Sequence, residues 1–261
     1  MPRSTQASLP TRVLQLTDSH LLADPAAPFR GVNPHHTLRR VVRHVLAKQG
    51  MSDLLLATGD LAQDGSAEAY AAFLAHTQGV AHDTVWVPGN HDEAAQMRSG
   101  PEALNRAYVD VPGWRIVCLD STVAGQAGGA LAEHQWQRLQ AACTSAEQRA
   151  VLVVLHHHLM PCGSAWMDQL MVHDAAAARH RLQALAPVRA VLCGHIHQPL
   201  DQNAQGIRYL GTPSTSVQFK PEQQQFMLDT LPPGYRWLQL WPDGTLDTDV
   251  AYVNSNSEGS S

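Results

Sequence analysis

Long apolar runs are missing from this chain of 261 residues. No stretch reaches the roughly 18 apolar residues that a membrane-spanning helix needs, so no such helix is expected. The opening stretch MPRSTQASLP lacks the apolar centre of a signal peptide, and no export leader is expected in it. Charge is sparse: 16% of residues are charged, the net charge is −5 with neutral histidines, and no run of Lys or Arg exceeds two. A nucleic-acid polymer is therefore not expected as a partner, because such binding needs a basic stripe to release counterions. A single phosphate held through metal ions stays open. The four cysteines, Cys118, Cys143, Cys162 and Cys193, show no C-x-x-C spacing. Two of them, Cys118 and Cys193, sit in apolar strand-like runs that suit buried reduced thiols, so a reducing cytoplasm is the expected location. Internal repeats and linker-like shifts of composition are also missing.

What is present is enough apolar material for a core, 44% of residues, and fifteen histidines. Short apolar runs recur as expected buried strands: Val13 to Leu16, Asp53 to Ala57, Thr84 to Val87, Arg115 to Leu119, Val151 to Leu155 and Val188 to Cys193. Between them, Leu38, Val41, Val42, Val45 and Leu46 follow one helix face, with Pro34 placed for its first turn and Gly50 for its end. Further helices are expected over Ser66 to His76, Leu131 to Cys143 and Asp174 to Leu185. Beyond residue 205 the pattern turns to strands: Ile207 to Leu210, Ser216 to Phe219, Gln225 to Asp229, Tyr235 to Trp241 and Leu246 to Val253. The economical architecture is one α/β domain with two layers of sheet. It covers residues 1–253, with the small polar stretch 254–261 as a disordered tail.

Polar residues follow several of these strands, where α/β sheets gather their ligands. Asp18 and His20 lie in TDSH, Asp60 in TGD, Asn90 and His91 in PGNHDE, His156 in LHHH, and His195 and His197 in CGHIH. Each alone has an ordinary alternative: Asp18 caps a turn, Asn90 takes a left-handed turn, the histidine run lies at the surface. Together, at five strand ends, they make a donor set. Mixed carboxylate and imidazole suits Zn, Mn, Fe or Co better than Mg or Ca. Seven ligands with one shared carboxylate can hold two metals, and a metal pair clamps the attacking and leaving oxygens of a displacement at phosphorus. Two divalent ions, set against Asp18, Asp60 and a bridging hydroxide, leave a single positive charge, which suits a singly charged phosphodiester.

With these motifs in place, the chain resembles the calcineurin-like metallophosphoesterases from position 18 to 197. More narrowly, QLTDSHL, GVN at 31–33, ATGDLAQDGS, VPGNHDE, CGHIHQ and GTPSTSVQFKP resemble the class III 3′,5′-cyclic AMP phosphodiesterases over nearly the whole chain. The resemblance implies a four-layer α-β-β-α sandwich in a single domain. It implies two divalent or mixed-valence transition metal ions, drawn from Fe, Mn or Zn. One ion would take Asp18, His20 and His197, the other Asn90, His156 and His195, with Asp60 bridging. His91 would be no ligand; it would contact the phosphate and serve the departing sugar oxygen, and His20, Asn90 and His197 would also face the substrate. The implied reaction is hydrolysis of 3′,5′-cyclic AMP to 5′-AMP by a metal-bridging hydroxide, with a small cyclic nucleotide as partner. Another small diester is the alternative: a glycerophosphodiester, a 2′,3′-cyclic nucleotide or a nucleotide-sugar lipid. A scaffold without chemistry should lack ligands, and none is missing.

Softer candidates remain. Asp64 is placed either to orient His91 or to cap the helix that follows. Trp166 and Asp168 are candidates for shaping the pocket, and His157 and His158 for support behind the ligands. Arg30 and Asn33 lie near the first motif and are candidates to touch the base or the phosphate, with ordinary loop roles as the simpler expectation. His35, His36, His44, His76, His82, His134, His173 and His180 read as surface or helix-face residues.

Overall fold

The structure is a computed structural model that describes residues 9–254. The tail expected at 254–261 lies outside this range except for Asn254, as do the first eight residues of the opening stretch. In chain order the elements are β1 (Thr11–Leu16), α1 (Pro34–Gln49), β2 (Ser52–Thr58), α2 (Ala67–Thr77), β3 (Ala81–Val87), α3 (Ala94–Arg98), β4 (Tyr108–Val111) and β5 (Trp114–Cys118). There follow α4 (Glu133–Thr144), β6 (Ala150–Val154), α5 (Ala165–Asp168), α6 (Ala175–Gln183), β7 (Val188–Cys193), β8 (Leu200–Ala204), β9 (Ile207–Gly211), β10 (Gly234–Leu240) and β11 (Leu246–Tyr252).

Local chemistry sets the helix ends. Asn33 caps α1 by accepting from the backbone N–H of His36 at 2.8 Å, and Pro34 fills the first turn, where a missing N–H costs nothing. Gly50 ends it with φ 69°. Ser66 caps α2, its hydroxyl accepting from Ala69 N–H.

Strand alternation then sorts side chains into layers. One sheet runs β11-β10-β1-β2-β3 and the other β4-β5-β6-β7-β9-β8. In the first sheet β1, β2 and β3 are parallel, and β10 and β11 extend it by antiparallel pairing; in the second β5, β6, β7 and β9 are parallel, and antiparallel β4 and β8 close both edges. Val13, Leu54, Leu56, Val85 and Val87 of the first sheet meet Ile116, Leu152, Val154, Ala190 and Leu192 of the second. Their neighbours one residue on, Leu14, Leu55 and Ala57, face Leu38, Val41 and Phe73 of α1 and α2. Likewise Val117, Val151, Val153 and Val191 face Leu139 of α4 and Leu182 of α6. The order helix, sheet, sheet, helix is thus a consequence of period-two patterning on strands buried on both faces.

Toward the carboxyl ends of the strands, the layer between the sheets turns polar. Gln15 on β1 donates to Thr58 Oγ1 at 2.7 Å and to the carbonyl of Cys193 at 3.1 Å, and accepts from Thr212 Oγ1. Arg236 on β10 is 2% exposed and crosses to the second sheet, donating to the carbonyls of Leu200 (3.1 Å) and Gly211 (2.8 Å). Burial lowers its pKa to about 10, which leaves it charged at neutral pH. These bonds tie the two sheets where the functional loops emerge.

Two expected strands do not form. Ser216 to Phe219 and Gln225 to Asp229 contribute only one isolated bridge, Phe219 to Leu228. The second segment pairs with the first only through Lys220 N–H to Met227 O (2.8 Å) and Asp229 N–H to Gln218 O (2.9 Å), and in the first segment side chains compete for the backbone. Ser214 Oγ accepts from Ser216 N–H, and the Gln218 amide bonds to Ser214 N–H and C=O, while Pro221 offers no donor. Two short edge strands are not among those expected: β8, LDQNA, has no β-branched residue, and β4, YVDV, is only four residues long.

Arg236→Met should lower stability by about 1–3 kcal/mol, since two buried carbonyls lose their donor while relief of charge burial offsets part of the loss. The urea midpoint should fall with an unchanged m-value; an unaltered midpoint would remove Arg236 from the inter-sheet tie.

Candidate metal centre

The turns after the parallel strands have an unusual backbone. Ten described non-glycine residues have positive φ, and five of them are Asp18 (54°), His20 (48°), Asp60 (49°), His195 (68°) and His197 (48°). Asp tolerates this region and His is enriched in it, yet each such residue still costs about 1–3 kcal/mol. Backbone bonds between turns hold them there: Asp18 N–H to Gly59 O at 3.0 Å, His20 N–H to Asp60 O at 2.9 Å, and Gly194 N–H to His156 O at 3.1 Å. Two glycines are dictated by proximity. A Cβ on Gly89 would strike the Asp60 carboxylate, and one on Gly194 would strike Thr17 Oγ1 and lie 2.8 Å from Asp18 Oδ2.

These turns bring the expected donors together. Asp18, His20 and His197 form one group of mutually close donor atoms; His197 Nε2 lies 3.2 Å from Asp18 Oδ1 and 3.2 Å from His20 Nε2. His156 Nε2 lies 3.2 Å from Asn90 Oδ1, and the His156 and His195 rings are 5.0 Å apart. Asp60 stands between the groups, with Oδ2 3.9 Å from His20 Nε2 and 3.5 Å from His156 Nε2. Asp18, His20, Asp60, His156, His195 and His197 are all at most 5% exposed. Asn90 is half-buried and His91 exposed, so the donors open to solvent on the side of the PGNHDE turn.

Tautomers are set from behind. His156 Nδ1 donates to the carbonyl of Thr58 (2.9 Å), His197 Nδ1 to that of Val217 (2.7 Å), and His20 Nδ1 to Gln63 Oε1 (2.8 Å). Each therefore turns an Nε2 lone pair toward the centre. Thr17 Oγ1 and the backbone N–H of His195 donate to Asp18, and the backbone N–H of His91 donates to Asp60 Oδ1 at 2.8 Å.

The electrostatics favour a cation. Burial pulls the Asp18 and Asp60 carboxyls upward, but the imidazoles of His197 and His156, respectively, outweigh it and hold both below the usual carboxylate range. Burial pushes His20 down to about 3 and His195 well below its ordinary value, so both are neutral donors. For His156, burial is overcome by Asp60 and Asp18, which raise it to about 9. Among the described residues the charged partners of Asp18 and Asp60 are histidines, with no Lys or Arg ion pair. Two buried carboxylates among imidazoles, with a proton on His156 that a bound cation would displace, fit transition-metal ions by both charge and donor type.

The softer candidates separate. Asp64 does not touch His91; it accepts from Ser66 N–H, Ser66 Oγ and Ala23 N–H, and so braces the start of α2. Its neighbour Gln63 does the orienting. The Gln63 Nε2 donates to His91 Nδ1 at 3.1 Å while its Oε1 serves His20, so one amide fixes two imidazoles with opposite polarity. Gln63 is not among the residues expected from the sequence, although it lies three residues past Asp60 in ATGDLAQDGS. Asp92, equally unexpected, accepts from the backbone of Leu61, Ala62 and Gly89 and pins two turns together; burial and Asp60 raise it to about 7. His157 is buried beside His156 and His195, with Nδ1 bonded to Ser121 Oγ. Buried His158 lies 3.6 Å from Asp168, which also accepts from Cys162 and Gly163 N–H. His35 is a helix-face residue as expected, on the buried side of α1, bonded to His76 and the carbonyl of Leu22.

A helix–sheet–sheet–helix sandwich with Asp, Asn and His gathered at its strand ends is the architecture of metal-dependent phosphoesterases. Residues 11–199 match the sequence model of the calcineurin-like phosphoesterases, and the chain belongs to that family. The 3′,5′-cyclic adenosine monophosphate phosphodiesterase CpdA of Pseudomonas aeruginosa is 42% identical over 244 residues, which cover 93% of this chain and 90% of that protein. The protein of the same name from Escherichia coli (strain K12) is 41% identical over 244 residues, covering 92% and 88%. In three dimensions, a dimetal phosphatase from Danio rerio superposes with a TM-score of 0.67 over 95% of this chain and 100% of that one; at 14% identity this is agreement of fold.

Gln63→Leu should lower metal affinity or turnover about 10–100-fold, the usual cost of losing a group that orients a ligand. Metal titration and steady-state kinetics check this, and wild-type values for both would show that His20 and His91 need no such support.

Proposed function

We propose that this protein is a dinuclear metal phosphodiesterase that converts 3′,5′-cyclic AMP to 5′-AMP. The observation that carries the reading is a buried donor set divided around Asp60, with one exposed imidazole at its rim. The substrate is taken from relatives that bear that activity in their names and align along nearly the whole chain.

Asp18, His20 and His197 would hold one ion, and Asn90, His156 and His195 the other, with Asp60 shared. Fe, Mn or Zn suits these donors. Bound there, the ions supply Lewis acidity toward phosphoryl oxygens and activate water near neutral pH. The remaining chemistry belongs to the chain. Because Gln63 donates to Nδ1 of His91, Nε2 carries the ring proton. His91 thereby presents a donor to the ribose oxygen that departs when the cyclic ester opens. His20, Asn90 and His197 face the same opening and flank the phosphate. The backbone N–H of His91 bonded to Asp60 keeps the donor turn in step with the shared carboxylate. Four free cysteines suit a reducing compartment, and the reading places the reaction in the cytoplasm.

Metal-reconstituted protein should convert 3′,5′-cyclic AMP to 5′-AMP with higher kcat/KM than 2′,3′-cyclic AMP or an aryl phosphodiester. Cleavage of the aryl diester alone would preserve the metal chemistry and overturn the substrate. His91→Ala should retain two metals per chain while kcat falls about 10²–10⁴-fold, the range for loss of a general acid. Loss of a metal in this variant, read by elemental analysis, would make His91 a ligand instead.

A further inference from the structure

The opening of the donor set has two unlike flanks. On the Asn90 side is a cavity of about 450 Å³ lined by Asp92, Glu93, Asp120, Thr122 and their neighbours, without an aromatic ring. The other flank is built of rings. Phe29 stacks on His20 with centroids 4.4 Å apart and planes 19° apart, and Phe219 stacks on His197 at 3.8 Å and 6°. Phe226 stands edge-on to Phe219 at 5.3 Å and to Trp166 at 5.2 Å.

Arg30 joins the two halves of this flank. Its guanidinium lies 4.9 Å from the ring centre of Phe226 and 5.9 Å from that of Phe29. The loop after β1 and the loop before β10 therefore meet over the Asp18, His20 and His197 group. Phe226 is 42% exposed, Phe29 is half-buried, and Arg30 is exposed. An exposed ring backed by a guanidinium is a surface to which a planar, electron-rich heterocycle adds by stacking. The flank beside Asn90 has a guanidinium too, Arg98, but it is paired with Asp120 and has no ring beside it in that lining, so it offers no such face.

Given the reading of the substrate as a cyclic nucleotide, we infer that Phe226 and Arg30, with Phe29 behind them, form the seat of the nucleobase, and that they set the preference for a nucleotide over a plain diester. Phe29 and Phe219 also brace ligand histidines, so changes there would mix metal and base effects. Phe226 and Arg30 make no stacking contact with His20 or His197 and separate the two.

The test compares 3′,5′-cyclic AMP with the base-free cyclic ribose 3′,5′-phosphate, using metal-loaded full-length protein. In wild type, kcat/KM should favour the nucleotide. In Phe226→Ala the ratio of the two kcat/KM values should fall about tenfold, the size of one base–ring stack by alanine substitution. Phe226→Tyr should keep the ratio, and Arg30→Ala should lower it in the same direction. A ratio unchanged in Phe226→Ala, with both substrates slowed alike, would overturn the base seat and leave Phe226 a packing residue. Equal use of both compounds by wild type would likewise overturn it while sparing the phosphoesterase chemistry. Hydrolysis of neither compound, with an aryl diester still cleaved, would instead overturn the choice of substrate.

Discussion

Two carboxylates, Asp18 and Asp60, are almost wholly withdrawn from water with no Lys or Arg paired to them among the described residues. Burying an ion in this way is costly unless it is paired and hydrogen-bonded, and much of the surrounding structure answers that cost. Backbone N–H groups are aimed at both. Imidazoles are turned so that Nε2 faces inward, their other nitrogens held by carbonyl or amide oxygens. Glycine at 89 and 194 lets the chain approach the carboxylates closely. Left-handed turns at five of the gathered donors are strain that this network sustains.

The donors divide between the two sheets. Asp18, His20, Asp60 and Asn90 come from loops of the first, and His156, His195 and His197 from loops of the second. Their relative placement therefore depends on how one sheet sits on the other. Apolar packing between the sheets is non-directional and alone would tolerate sliding. Gln15, Thr212 and Arg236 supply directional bonds across the gap at the functional end. In this sense the polar inter-sheet layer is part of the metal centre, although none of its members touches it.

Much of this is legible in the sequence because strands buried on both faces read as unbroken apolar runs, and the residues after them stand out as polar. Thus β7 is legible to the residue, and α1 is readable from its face pattern, Pro34 and Gly50. The donor types are legible for the same reason: Asp, Asn and His recurring at five strand ends exceed what turn geometry alone requires. The expected strand over 216–219 fails because side-chain bonds from Ser214 and Gln218 capture the backbone, which no periodicity records, and 225–229 is left with only that irregular segment to pair with. Gln63 is hard to find because an amide carries no charge to mark it, whereas Asp64 beside it does. The ring cluster of Phe29, Phe219 and Phe226 is assembled from loops nearly 200 residues apart, a proximity that only the fold creates.

The placement of β1 bears on how the chain reaches its fold. It lies between β2, which follows it closely, and β10, which begins at Gly234, so one edge of the first strand is satisfied only by one of the last. During synthesis from the N-terminus, that edge waits until most of the protein has been made. An unpaired edge on an apolar strand is a template for association with other chains. The turn carrying Asp18 waits too, since Ser214 Oγ bonds its carbonyl and Thr215 N–H bonds that of Thr17. Assembly of the centre is thus a late event, and the nascent chain is most exposed to misassociation before its final strands emerge.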